Sequence, residues 1–222
     1  EADRDASVRV ILIRSEGDTF TAGNDIADFA NAAPRAPGET PNVRRFLNAI
    51  ASARKPVVAA VQGAAVGVGT TLLLHCDYVV LAENATLLTP FVNLALCPEG
   101  ASSLLLPRVA GYQRAAELLL LGEPFDAATA RDAGFVNRVL PAGELMATAL
   151  DVARKLATRP AASLAVTKAL MKRPPERSAI EAIDEEVIYF GDLVAAPAAK
   201  EIFAAFLEKR PPDPDKIHGN KK

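Results

Sequence analysis

Apolar residues in this chain come in short unbroken blocks separated by glycine- or proline-bearing polar turns, with longer helical spacings between them. Val8–Arg14 (VRVILIR) is β-branched and continuous, the signature of a strand covered on both faces in a parallel sheet. Ser15–Asp18 reads as a turn and Asp25–Ala33 as the start of a helix. Pro34–Pro41 (PRAPGETP), with three prolines and a glycine, reads as a mobile surface loop. Helical spacing over Asn42–Ala53 precedes a second buried strand, Pro56–Val61. A glycine-bearing turn ending at Gly69, a helix over Thr70–His75 and a third strand over Tyr78–Ala82 follow. The rhythm then repeats, with a short strand at Ala85–Leu88 and helices over Ser102–Ala110 and Gln113–Leu121. FDAATARDAGFVNRVLP reads as a capped helix stopped at Gly134 and then a strand. Beyond Pro141 only helices are expected, over Glu144–Thr158, Ala161–Met171, Ser178–Phe190 and Pro197–Arg210, before a frayed polar tail. The expected architecture is α/β, with a core over 1–141 and a helical lobe with its tail over 142–222.

Composition narrows the classes. Half of the 222 residues are hydrophobic, enough for a sizeable core. A net charge of −2 without a basic stripe argues against a nucleic-acid surface. Pro56–Leu74 carries no charge, but three glycines, a glutamine and paired threonines dilute it, and the strand–turn–helix rhythm argues for an α/β core over a membrane span. Cys76 and Cys97 both lie in apolar surroundings and read as two buried thiols. Two histidines without paired Cys/His spacing speak against a zinc site, so no metal is expected. The start of the chain has no basic segment followed by an apolar run, which speaks against a signal peptide. Because the chain is already strand-like by Val8, a leading strand and helix are expected to be missing.

Two features carry candidate chemistry. Thr21-Ala22-Gly23-Asn24-Asp25 and Gly67-Val68-Gly69 each lie between a strand and a helix, where backbone N–H groups are left free to meet an anion or a developing oxyanion. Two such turns on neighbouring strands could aim two donors at one thioester oxygen; taken singly, each fits tight packing equally well. A dinucleotide site is rejected, because the third glycine of G-x-G-x-x-G is absent. The other feature is Glu99, the only charged residue between Ala85 and Pro107, set between a proline and a glycine. Pro-Glu-Gly alone is an ordinary turn; in an apolar pocket it would be a base.

The motifs FTAGNDIADF, KPVVAAVQGAAVGVGTTLLLHCDYVVLAENATLLTP and GYQRAAELLLLGEPFDAATARDAGFVNRVLP occur in the order found in the crotonase (enoyl-CoA hydratase/isomerase) superfamily, which the chain resembles from about Val8 to Arg210. The resemblance implies a superhelix of ββα turns with a helical C-terminal lobe that trimerises, giving a homotrimer or a hexamer. It implies that the backbone N–H groups of Asn24 and Val68 form an oxyanion hole, with Gly67 in the second turn. It places Ala22, Asp25 and Ile26 along coenzyme A, and Phe206 and Lys209 near its nucleotide. CoA enters as part of an acyl-CoA substrate, and no metal or redox cofactor is implied.

Departures from the family pattern decide the expected reaction. Family hydratases carry one glutamate in the helix after the second glycine turn, where this chain has Thr71. They carry another in a Gln-Pro-Glu-like motif, where this chain reads Thr89-Pro90-Phe91. Hydration needs a base and an acid, and both positions lack one. CPEGASS together with AGND resembles instead the monofunctional Δ3,Δ2-enoyl-CoA isomerase branch, in which the glutamate of this turn is the single acid/base of an enzyme of fatty-acid metabolism. Glu99 would then work beside an apolar wall of Phe91, Leu94 and Leu96. Other thioester-enolate chemistry, including an atypical hydratase, and a non-catalytic acyl-CoA binder are the alternatives. Among the remaining polar residues, His75 reads as packed or capping and Asp77 as holding backbone. Asn93 either orients Glu99 or caps a turn. Lys168, Lys172 and Arg173 form a solvated face or touch CoA phosphates, and Asp184, Glu185 and Glu186 form a solvated face. The chain ends without Ser-Lys-Leu, and a cytoplasmic location is expected if its source is bacterial.

Overall fold

The computed structural model describes residues 1–25, 42–173 and 179–218. The helix expected over 25–33 (apart from Asp25), the loop over 34–41 and the last four residues of the tail lie outside them. Contacts group the chain into two compact units, one of residues 12–53 and 57–152, the other of residues 1–11, 54–56 and 153–222.

In the first unit, strands β1 (Ile11–Ile13), β2 (Val57–Val61), β4 (Tyr78–Ala82) and β7 (Arg138–Leu140) form one sheet in the order β1-β2-β4-β7. β4 runs parallel to both β2 and β7. A smaller sheet has the order β3-β5-β6, made by Ala64–Val66, Thr86–Leu88 and Phe125–Asp126. β3 and β5 are parallel, with Val66 beside Leu88, whereas β5 and β6 are antiparallel. Successive strands therefore alternate sheets: β2 and β4 go to the larger, β3 and β5 to the smaller. This is the ββα winding expected of the fold, with each strand pair leading into helix. The reason lies in the residues. All five side chains of β2 and the last four of β4 are buried, so neither strand can sit at a wet face, and both run as continuous apolar segments.

Helices α1 (Asn42–Ala51), α2 (Val68–Thr71), α3 (Ser102–Ala110), α4 (Tyr112–Ala116), α5 (Ala127–Asp132) and α6 (Ala142–Ala157) complete the layers, with 3-10 turns at Leu72–His75 and Val92–Leu94. α5 is capped by Asp126, whose carboxylate accepts the Thr129 N–H at 2.7 Å. The core gathers Val61, Leu73, Leu81, Leu87, Leu106 and Phe125.

Four expectations change. The stretch read as turn between Val61 and Gly67 holds strand β3. The helix expected over Gln113–Leu121 changes to a π-helical turn at Glu117. Cys97 is exposed rather than buried, because it follows the Val92–Leu94 turn on a loop outside the core. Part of the tail is helical, as α10 (Pro214–His218).

The second unit holds α7 (Ala161–Met171), α8 (Ala179–Ala195) and α9 (Pro197–Leu207). Lys168, expected on a solvated face or at a phosphate, is buried, and its ammonium donates to the Lys55 carbonyl at 2.8 Å. The adjoining Arg54 and Lys55 N–H groups donate to the Asp3 carboxylate at 2.9 and 3.0 Å. Glu201 is buried and accepts from Arg210, the Asp213 N–H and Lys216; the Arg210 hydrogen bond leads in drawing its pKa down to about 2. No helix among the described residues is long and apolar enough to cross a membrane.

Candidate active site

A cavity of about 190 Å³ in the first unit is lined by three segments: Ala22–Asn24, Val66–Val68, and Pro90–Glu99 through Pro90, Phe91, Leu94, Leu96, Cys97 and Glu99. Backbone pairing brings the first two together. The Phe20 and Thr21 N–H groups both donate to the Ala64 carbonyl at 3.0 Å, and the Val66 N–H returns a bond to the Thr21 carbonyl at 3.0 Å. The approach is close enough to require glycine: a Cβ at Gly23, whose φ is +88°, would lie 2.7 Å from the Val66 carbonyl oxygen. The Gly67 N–H donates to Leu88 at 2.9 Å, which ties the second turn to β5, and Gly67 has φ +56° and ψ −114° before α2 starts. Among the described residues, neither the Asn24 nor the Val68 backbone N–H has a hydrogen-bond acceptor. These are donors that folding leaves unspent.

Among the described residues, Glu99 is the sole carboxylate lining the cavity. It is half-buried and accepts one hydrogen bond, from Asn24 Nδ2 at 3.3 Å. Removal from water raises its pKa above the ordinary glutamate value, and the Asn24 bond, which favours the charged form, offsets this only in part. The result is a carboxylate of increased basicity against apolar walls.

The other expected residues divide plainly. Ala22, Asn24, Gly67, Val68, Phe91, Leu96 and Glu99 meet at this cavity. Asp25 is exposed and does not line it, and Ile26 lies outside the described residues. Phe206 and Lys209 belong to the second unit, where both are exposed, and neither lines the cavity. Asn93 donates to the Gly122 carbonyl at 2.7 Å, a bond across 29 residues that is neither of its two readings: it does not bond to Glu99, and the Val92–Leu94 turn has no side-chain cap. Asp77 holds backbone as expected, accepting the Val57 N–H at 2.7 Å. Thr71 is buried, and its hydroxyl has no partner among the described residues. Cys97 at the cavity and the contact of His75 with the Glu99 turn were not foreseen; exposure of a thiol among apolar neighbours and a bond spanning 25 residues leave no local signal.

A family model described as enoyl-CoA hydratase/isomerase matches residues 1–216. The chain belongs to the enoyl-CoA hydratase/isomerase family. It is 35% identical over 218 residues to the 1,2-epoxyphenylacetyl-CoA isomerase of Escherichia coli K12, covering 96% of this chain and 83% of that protein. It is 32% identical over 214 residues to the 2,3-dehydroadipyl-CoA hydratase of the same organism, with the same two coverages. A solved enoyl-CoA hydratase/carnithine racemase homologue from Magnetospirillum magneticum AMB-1 matches with a TM-score of 0.89 at 44% identity, over 96% of this chain and 82% of that one. Isomerases and hydratases thus both stand among the relatives, so the family places the chain among CoA-thioester enzymes, and the choice of reaction falls to the residues of the cavity.

Proposed function

We propose that this chain isomerises 3-enoyl-CoA to 2-enoyl-CoA with Glu99 as its single acid/base. The observation that carries this is the carboxylate of Glu99, which among the described residues is the only one in an apolar cavity whose other turns carry the Asn24 and Val68 N–H groups, without acceptors among those residues. In this reading the Glu99 carboxylate takes a proton from C2. The C–H electron pair moves into a dienolate spread over C2, C3 and C4 and the thioester oxygen. Asn24 and Val68 donate to that oxygen, each donor worth about 3 kcal/mol at the transition state. Glu99 then returns the proton to C4, which leaves the double bond conjugated between C2 and C3. Atoms and charge balance without water, metal or redox partner, and CoA is part of the substrate. The raised pKa of Glu99 suits both halves of the cycle, since the group must bind and release one proton.

Hydration needs a second acid/base, and the two positions where family hydratases carry theirs are Thr71, buried and uncharged, and Phe91, part of the apolar wall. The hydratases among the relatives keep a second reading in play, an atypical hydratase or another enolate reaction with Glu99 as the base. A homotrimer, or paired trimers, is proposed as the working assembly. Ile180, Val187, Ile188 and Phe190 of α8, with Phe203, Phe206 and Leu207 of α9, are all more than half exposed in the single chain, an apolar surface of the kind subunits cover.

The test is a paired assay. Native protein given a 3-enoyl-CoA should raise the absorbance of the conjugated thioester, and Glu99→Gln should lose 10²–10⁴-fold of that rate, roughly what a positioned general base contributes. Formation of 3-hydroxyacyl-CoA from a 2-enoyl-CoA, or isomerisation indifferent to Glu99, would refute the proposal.

A further inference from the structure

We infer that His75 is a positioning residue for Glu99, holding the catalytic turn in shape through the carbonyl of Gly100. The inference rests on the reading of Glu99 as the acid/base. His75 ends the 3-10 turn that follows α2 and is 7% exposed. Its Nε2 lies 2.8 Å from the Gly100 carbonyl oxygen. A carbonyl only accepts, so Nε2 carries the proton and donates.

The turn it meets has an unusual backbone. Gly100 (φ +64°) and Ala101 (φ +56°) are left-handed in succession immediately after Glu99. An L-residue such as Ala101 adopts that conformation only where its surroundings impose it. Three contacts do so. Beneath the turn, a Cβ added at Gly100 would meet Thr71 Oγ1 at 2.8 Å and Leu47 Cδ2 at 3.4 Å, so the chain lies directly on Thr71 and Leu47. The Glu99 carbonyl accepts both the Ser102 hydroxyl at 2.7 Å and the Ser102 N–H at 3.1 Å. At the first left-handed residue, His75 holds the Gly100 carbonyl. Ser102 is sequence-local and starts α3, whereas His75 comes from 25 residues earlier and ties the turn to the helix that begins at Val68. One short path of chain therefore links the Val68 N–H to the backbone that aims Glu99. Proton transfer at two carbons from one carboxylate is sensitive to such aim, a misplacement of about 1 Å costing about 10²-fold in rate.

The experiment separates the two ring nitrogens. Glutamine places an amide N–H near the position of Nε2, and asparagine places one near Nδ1, short of the carbonyl. His75→Gln and His75→Asn are compared with native protein and Glu99→Gln for kcat and KM on 3-enoyl-CoA and for thermal unfolding. The expected result is kcat within about 3-fold of native in His75→Gln and at least 10-fold lower in His75→Asn, with KM unchanged in both. Equal losses in the two variants, no loss in either, or a loss that appears in KM or tracks unfolding would overturn the inference. If Glu99→Gln is inactive while His75→Asn keeps native kcat, only the His75 inference falls. An active Glu99→Gln sinks the acid/base reading, and this inference with it.

Discussion

Gly23→Ala asks whether the two donor turns are locked to one another. The new Cβ would stand 2.7 Å from the Val66 carbonyl oxygen and 3.4 Å from its carbon. Val66 cannot yield, because its own N–H is bound to Thr21 and the next N–H, of Gly67, is bound to Leu88. The strain must therefore move the Thr21–Asn24 turn, and with it the Asn24 N–H. A left-handed alanine costs about 1–2 kcal/mol. Overpacking against fixed backbone adds about 1–3 kcal/mol, for a destabilisation of about 2–5 kcal/mol. Loss of one aligned donor removes about 3 kcal/mol of transition-state stabilisation, or roughly 10²–10³ in kcat. Urea unfolding gives the first quantity and single-substrate kinetics the second. Gly143→Ala is the control: its added Cβ meets nothing within 4 Å, at the exposed start of α6, and should be neutral or gain up to about 1 kcal/mol. If Gly23→Ala unfolds like native protein and keeps native kcat, the two turns are not held together and the geometric case for a two-donor hole fails.

The raised pKa of Glu99 makes a second prediction. The folded state holds its proton more tightly than the unfolded chain does, so stability falls as pH rises from the ordinary glutamate value through the raised one. Glu99→Gln should accordingly unfold at higher temperature than native protein at pH 7, and the gap should close below pH 4; a gap that widens in acid would reverse the sign of the shift. Thr71→Val replaces a buried, unpartnered hydroxyl with a methyl group of similar size and should leave stability unchanged or raise it by up to about 2 kcal/mol in urea unfolding, whereas a loss above about 1 kcal/mol would mean the hydroxyl has a partner.

Much of this protein is determined locally. The unbroken apolar, β-branched runs of β2 and β4 read as buried strands, the Asp126 cap starts α5 within its own four residues, and Glu99, the one charge in a stretch of 23 residues, marks itself out without any tertiary knowledge. The three segments of the cavity were legible as two glycine-bearing turns and one acid, because helix starts expose N–H groups wherever they occur. What the sequence alone left open depends on partners distant along the chain. β3 is three residues long and too short to declare a period, and it exists because β5 and the Thr21 turn pair with it. Lys168 is hidden by a carbonyl 113 residues away, and Asn93 donates to the Gly122 carbonyl, 29 residues away. His75 reads as ordinary packing until the fold brings Gly100 to within 2.8 Å of its ring. Local propensity and burial are properties of neighbours in sequence, whereas the aim of a catalytic side chain is set by whichever backbone groups the fold brings beneath it.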